Sequence, residues 1–186
     1  APREGRSRDI SENVTPEVDG GTFAVKRVRG ERVVVEADIF ADGHEVISGM
    51  LLFRREAEQK WDETPLKFVV NDCWRAIFSV DEIGRYRYTL AAWIDRFQSW
   101  RRDLQKKAEV SEHSELDVLT GALIIESAAA RASTSDKKKF AEAIELLRNK
   151  NTSLSSKLAA ALGDDLLELV GRYPDRGAET PYDNEL

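Results

Sequence analysis

Apolar and polar positions follow two different rhythms along this chain. From about Gly20 to Val110 the rhythm is two. Over residues 32–40, Val33, Val35, Ala37 and Ile39 fall on one side and Arg32, Glu36 and Asp38 on the other, the alternation of a half-buried strand. Asp42-Gly43 supplies a turn, and the apolar run from Gly49 to Phe53 resumes the strand pattern. A polar connection through Thr64-Pro65 leads to Trp74, Ala76, Phe78 and Val80, again at every second position. Gly84 opens the longest run, with Tyr86, Tyr88, Leu90, Ala92 and Ile94 on one face. A turn from Asp95 to Gln98 then predicts a last strand over about residues 99–110. Short strands at this spacing predict an antiparallel β-sandwich.

From Ser111 onward the period becomes helical. Ser114 followed by Asp117 has the spacing of a capping box. Leu116, Leu119, Leu123 and the Ile124-Ile125 pair give an apolar stripe reaching about Arg131. A second helix is expected from Ser135-Asp136, with Phe140, Ile144 and Leu147 on one face; Lys150-Asn151-Thr152 ends it. Leu154, Leu158, Ala161 and Leu162 predict a third helix, and Leu166 to Val170 a short fourth after Gly163. Each stripe is narrow, so these helices must pack on one another or on the sandwich. Leu116, Leu119, Phe140, Ile144, Leu147, Leu158 and Leu162 are expected to share one cluster.

Composition narrows the class. With 41% hydrophobic and 33% charged residues over 186 positions, the chain is globular in type. No apolar run approaches the roughly 18 residues of a membrane span. The net charge of -6 argues against general nucleic-acid binding. A single cysteine, Cys73, excludes a disulfide framework within the chain and agrees with a reducing cytoplasm. The start, Ala1-Pro2-Arg3-Glu4-Gly5, lacks an initiator Met and the apolar segment of a signal peptide, as expected if the first residues were trimmed or the chain was cut from something longer.

The inventory for catalysis is thin. His44 and His113 sit in different segments, with no Ser or Cys nucleophile pattern beside either. Asp42-Gly43-His44-Glu45 matches no common metal-ligand spacing and reads as turn chemistry. Cys73 beside Trp74 reads as a half-buried strand thiol, and Lys137-Lys138-Lys139 as a solvated helix face. No glycine-rich phosphate loop is present. Neither a catalytic nor a metal residue is assigned, and no cofactor is expected.

Aromatic residues carry the one candidate surface. Trp93 is out of phase with Tyr86, Tyr88 and Leu90, so it belongs on the opposite face of the sheet, beside Asp95, Arg96, Phe97, Trp100, Arg101 and Arg102. Aromatics interleaved with Arg are the composition of a protein interface; the same composition suits stacking of a sugar ring, the alternative role. Glu82-x-Gly84-x-Tyr86-x-Tyr88 resembles the corner before the penultimate strand of immunoglobulin-like domains, where a Tyr hydroxyl bonds to nearby backbone. Gly84 and Tyr86 are its structural residues.

Longer stretches resemble a known family. Pro16 to Gly21, Arg29 to His44, Asp72-Cys73-Trp74-Arg75-Ala76, and Gly84 to Tyr88 followed by Trp93 to Asp103 are similar to the opening of alpha-1,4-glucan:maltose-1-phosphate maltosyltransferases. The resemblance implies an immunoglobulin-like antiparallel β-sandwich followed by an inserted helical bundle. With the change of period at Ser111 and the Pro-containing, charged tail, the expected division is residues 1–15 as a flexible N-terminus, 16–110 as the sandwich, 111–171 as the helical insert and 172–186 as a linker; the resemblance implies that the chain ends before it returns to the sandwich. Such proteins are cytoplasmic homodimers of the alpha-amylase superfamily, whose catalytic carboxylates lie on a (β/α)8 barrel further along. The expected partners are therefore that barrel and a second copy, with α-glucan as the alternative. No barrel motif matches here, so the chain alone is expected to be inactive.

Overall fold

The computed structural model describes residues 9–16, 25–41, 43–112, 114–177, 180–182 and 185–186. Two compact units divide the chain: residues up to Ile94 together with those from Ala178, and Asp95–Gly177.

Among the described residues eight strands make the first unit: β1 (Asp9–Thr15), β2 (Arg32–Ala41), β3 (Ile47–Arg55), β4 (Asp62–Pro65), β5 (Lys67–Val70), β6 (Cys73–Ser79), β7 (Tyr86–Ile94) and, after the helices, β8 (Thr180–Pro181). They form two antiparallel sheets in the orders β1-β2-β6-β5 and β4-β3-β7-β8. The alternation in β2 acts as expected, with Val33, Val35, Ala37 and Ile39 at most 4% exposed. Opposite them on β6 stand Phe78, Ala76 and Trp74. From the other sheet Leu51, Tyr88, Leu90 and Ala92 enter the same cluster, so the unit is a sandwich around one core. Each Val, Leu, Ile or Phe among them, fully buried, contributes about 1.5–3 kcal/mol.

Two expectations at the chain ends are corrected. Residues 9–15, expected to be flexible, form β1 against β2. Their alternation is hidden by a bulge: Asn13 adopts φ +50, which Asn tolerates better than most residues, and the shifted register turns Val14 into the core at 1% exposure. Residues 172–186, expected to be a linker short of the sandwich, instead bring the chain back to it. Thr180 and Pro181 pair with Ala92 and Ala91. Leu186 then exchanges both backbone hydrogen bonds with Tyr88, at 2.9 Å each, and packs with Tyr182 on the core. The prolines obscured this strand, yet an edge strand is where proline is tolerated.

The second unit holds α1 (Arg96–Glu109), α2 (Glu115–Arg131), α3 (Thr134–Arg148), α4 (Leu154–Ala161) and α5 (Asp164–Gly171). Its first helix replaces the strand expected over residues 99–110. Asp95 caps it by accepting from the Gln98 N–H at 2.9 Å, and Phe97, Trp100, Arg101 and Leu104 follow at i, i+3, i+4 and i+7, a helical spacing. Ser114 and Asp117 form the expected capping box on α2, while Ser133 and Ser153 cap α3 and α4.

The core of this unit includes Phe97, Leu104, Val118, Ala122, Ile125, Phe140, Leu147 and Ala161, with Ile144, Leu158 and Leu162 packed against it. Leu116 and Leu119, expected inside, lie outside at 72% and 39% exposure. The buried side of α2 is instead Val118, Gly121, Ala122, Ile125 and Ala128. Small residues win that side because a large ring must fit there. The Trp100 indole lies so close to Gly121 that a Cβ on the glycine would meet three ring atoms at 2.0–2.5 Å. Among the described residues no helix is long and apolar enough to cross a membrane.

Candidate interaction surface

The aromatic and arginine side chains singled out in the sequence are placed one by one. Trp93, on β7, is 3% exposed. In the helical unit Phe97, at 4% exposure, and Trp100 come together with ring centroids 5.6 Å apart. Trp100 Nε1–H donates to the Asp117 carbonyl at 2.8 Å, tying α1 to α2. Arg101 donates to the Leu162 carbonyl at 2.5 Å and lies 3.4 Å from Asp164, so it closes the end of α4. Asp95 is the cap of α1 and also accepts from the Gln98 side-chain amide at 2.9 Å. Arg96 is exposed and Arg102 half-exposed, the latter 4.0 Å from Asp103. Asp95, Phe97, Trp100 and Arg101 build α1 and the packing of the helical unit, because the segment is helical and its ring-bearing side turns inward.

The other tryptophans are occupied too. Trp61 carries the Arg54 guanidinium 4.6 Å over its ring. Trp74 donates from Nε1 to the Ile39 carbonyl at 3.2 Å and meets Phe68 edge-on. At the corner, the Tyr86 hydroxyl accepts from the Glu82 N–H at 3.2 Å. Tyr86 is half-buried, whereas Tyr88 is inside the core with its hydroxyl donating to the Pro16 carbonyl. Gly84, two residues before the corner tyrosine, is exposed.

Ionic side chains answer one another. Arg55 bridges Glu58 and Glu82, Arg87 pairs with Glu56, and Arg148 with Glu126. Buried Lys157, 2% exposed, meets Glu115 at 2.7 Å. Asp136 receives Arg172 at 3.0 Å and the Tyr173 hydroxyl at 2.9 Å. Its carboxyl is held below the usual range by Lys139 first and then by Tyr173; Lys107 and then Ser114 do the same to Asp117. Arg87 lowers Glu56 and Arg55 lowers Glu58. Carboxyls pushed downward in this way are poor proton donors at neutral pH, the opposite of what a glycosidic general acid requires. Among the described residues no group of three or more His, Cys, Asp or Glu could hold a metal ion. His113 and Asp42 lie outside the described residues, and His44 is exposed.

The fold also leaves an apolar stripe on the surface. Along α2, Leu116, Leu119 and Leu123 are 72%, 39% and 61% exposed. With Thr120, Ser127 and Ala130 they share one side of the helix at i, i+3, i+4, i+7 spacing, a stripe without a charged residue in a chain that is 33% charged. Sequence reasoning found these leucines as a stripe and assigned Leu116 and Leu119 to the core. The run Gly121, Ala122, Ala128 was the signal that the inward side was a different one.

The described residues thus form a two-sheet sandwich whose chain passes through a helical unit and then returns to the sandwich. The profile described as "Alpha-1,4-glucan:maltose-1-phosphate maltosyltransferase, domain N/S" matches residues 8–186, and the chain belongs to that family. Maltosyltransferases of that name from Chlorobaculum tepidum and Myxococcus xanthus are 40% and 37% identical over 185 and 183 residues, covering 100% and 94% of this chain. The protein of that name from Methylacidiphilum infernorum is 34% identical over 185 residues, again covering 100% of the chain. In each case the chain spans 27% of the relative's length, and the family profile it matches is that of domain N/S.

Proposed function

We propose that this chain is the non-catalytic assembly domain of a cytoplasmic maltosyltransferase that extends α-1,4-glucans from maltose 1-phosphate. In this reading the sandwich is immunoglobulin-like, the helical unit is a bundle inserted into it, and together they serve dimerisation and contact with a catalytic barrel. The observation that carries it is the uncharged leucine stripe on α2, with Leu116 and Leu123 more than half exposed. A soluble domain gains nothing by keeping such a stripe in water. The paired carboxylates support the non-catalytic part, since those with perturbed acidity are shifted toward permanent ionisation.

Glucan binding by the aromatic residues has less to rest on, because Trp93 and Phe97 are buried and Trp100 is committed to α2. The test is sedimentation of the full-length transferase carrying Leu116→Glu and Leu123→Glu. The expected result is a shift from dimer toward monomer with an unchanged circular dichroism spectrum. An unaltered dimer would remove the stripe from the assembly and this reading with it.

A further inference from the structure

We draw no further inference here: the strongest candidate, the exposed leucine stripe Leu116, Leu119 and Leu123 on α2, already carries the assembly role proposed above, and nothing in the structure shows what else covers it.

Discussion

Replacing Gly121 by Ala sets two effects against each other, and their magnitudes decide the sign. Ala is the better helix former by about 1 kcal/mol in a helix interior, and Gly121 lies well inside α2. On propensity alone the change stabilises. The added Cβ, however, would lie 2.0, 2.3 and 2.5 Å from Cζ2, Cη2 and Cε2 of Trp100. Carbon atoms prefer separations of about 3.5–4.0 Å, so the indole must retreat by more than an ångström. It cannot do so freely. Its Nε1–H is held by the Asp117 carbonyl at 2.8 Å and its ring packs on Phe97. Overpacking of this kind costs roughly 1–3 kcal/mol, and losing the hydrogen bond adds about 1 kcal/mol. The net expectation is destabilisation of the helical unit by about 1–3 kcal/mol, read as a lower midpoint in urea unfolding followed at 222 nm. Trp100→Ala removes the obstacle. In that background Gly121→Ala should be neutral or mildly stabilising, and the cycle should show coupling. A stabilised single variant, or no coupling, would refute the close approach.

Other outcomes follow from the same structure. Tyr86→Phe removes the acceptor for the Glu82 N–H at a half-buried site and should cost about 0.5–1 kcal/mol in equilibrium unfolding. Leu186→Ala strips a partly buried side chain from the sandwich core and should cost about 1–2 kcal/mol, with faster amide exchange at Tyr88. For pH, Asp117 has its folded acidity depressed by Lys107 and Ser114. Its contribution is therefore present above the ordinary Asp value and lost as pH falls through the lower folded value. Helical-unit stability should decline below about pH 4, and Asp117→Asn should flatten that decline; an identical acid limb in both proteins would contradict the pairing.

Much of the sandwich was legible because β2 and β6 alternate over seven or more residues, and β7 does so from Tyr86 to Leu90, long enough for period two to stand out. The family resemblance rested partly on those stretches, together with Pro16 to Gly21 and Trp93 to Asp103. What failed was shorter or irregular. β1 hides behind the Asn13 bulge, β8 has only two residues and one is Pro, and β5 is exposed at every position. The error over α1 was different in kind. Trp93 to Leu104 mixes rings and charges so evenly that both periods fit, and the Asp95 cap looked like a turn. That error generated the aromatic surface, since a strand would have sent alternate rings to opposite faces while a helix turns Phe97 and Trp100 inward together. The α2 leucines misled for a physical reason: large apolar side chains are usually core, and a helix buried through Gly and Ala reverses the rule.

The leucine stripe also sets how the assembly reading can operate. Fully burying a leucine contributes about 1.5–3 kcal/mol. At exposures of 72%, 39% and 61%, covering Leu116, Leu119 and Leu123 yields about 3–5 kcal/mol by that measure. Association itself costs an estimated ~4–15 kcal/mol in lost translational and rotational freedom. The stripe by itself therefore fails to hold two copies of this chain together at ordinary concentrations. On the proposed assembly reading it would be one portion of a larger contact, this chain spanning 27% of a relative's length. The sheet does not supply the missing attraction through β7 either, because β8 and Leu186 already occupy its outer edge. The chain studied alone should thus sediment as a monomer across micromolar concentrations, while the full-length protein responds to charge placed at Leu116 and Leu123. A tight dimer of the chain alone would mean that a surface other than this stripe dominates assembly.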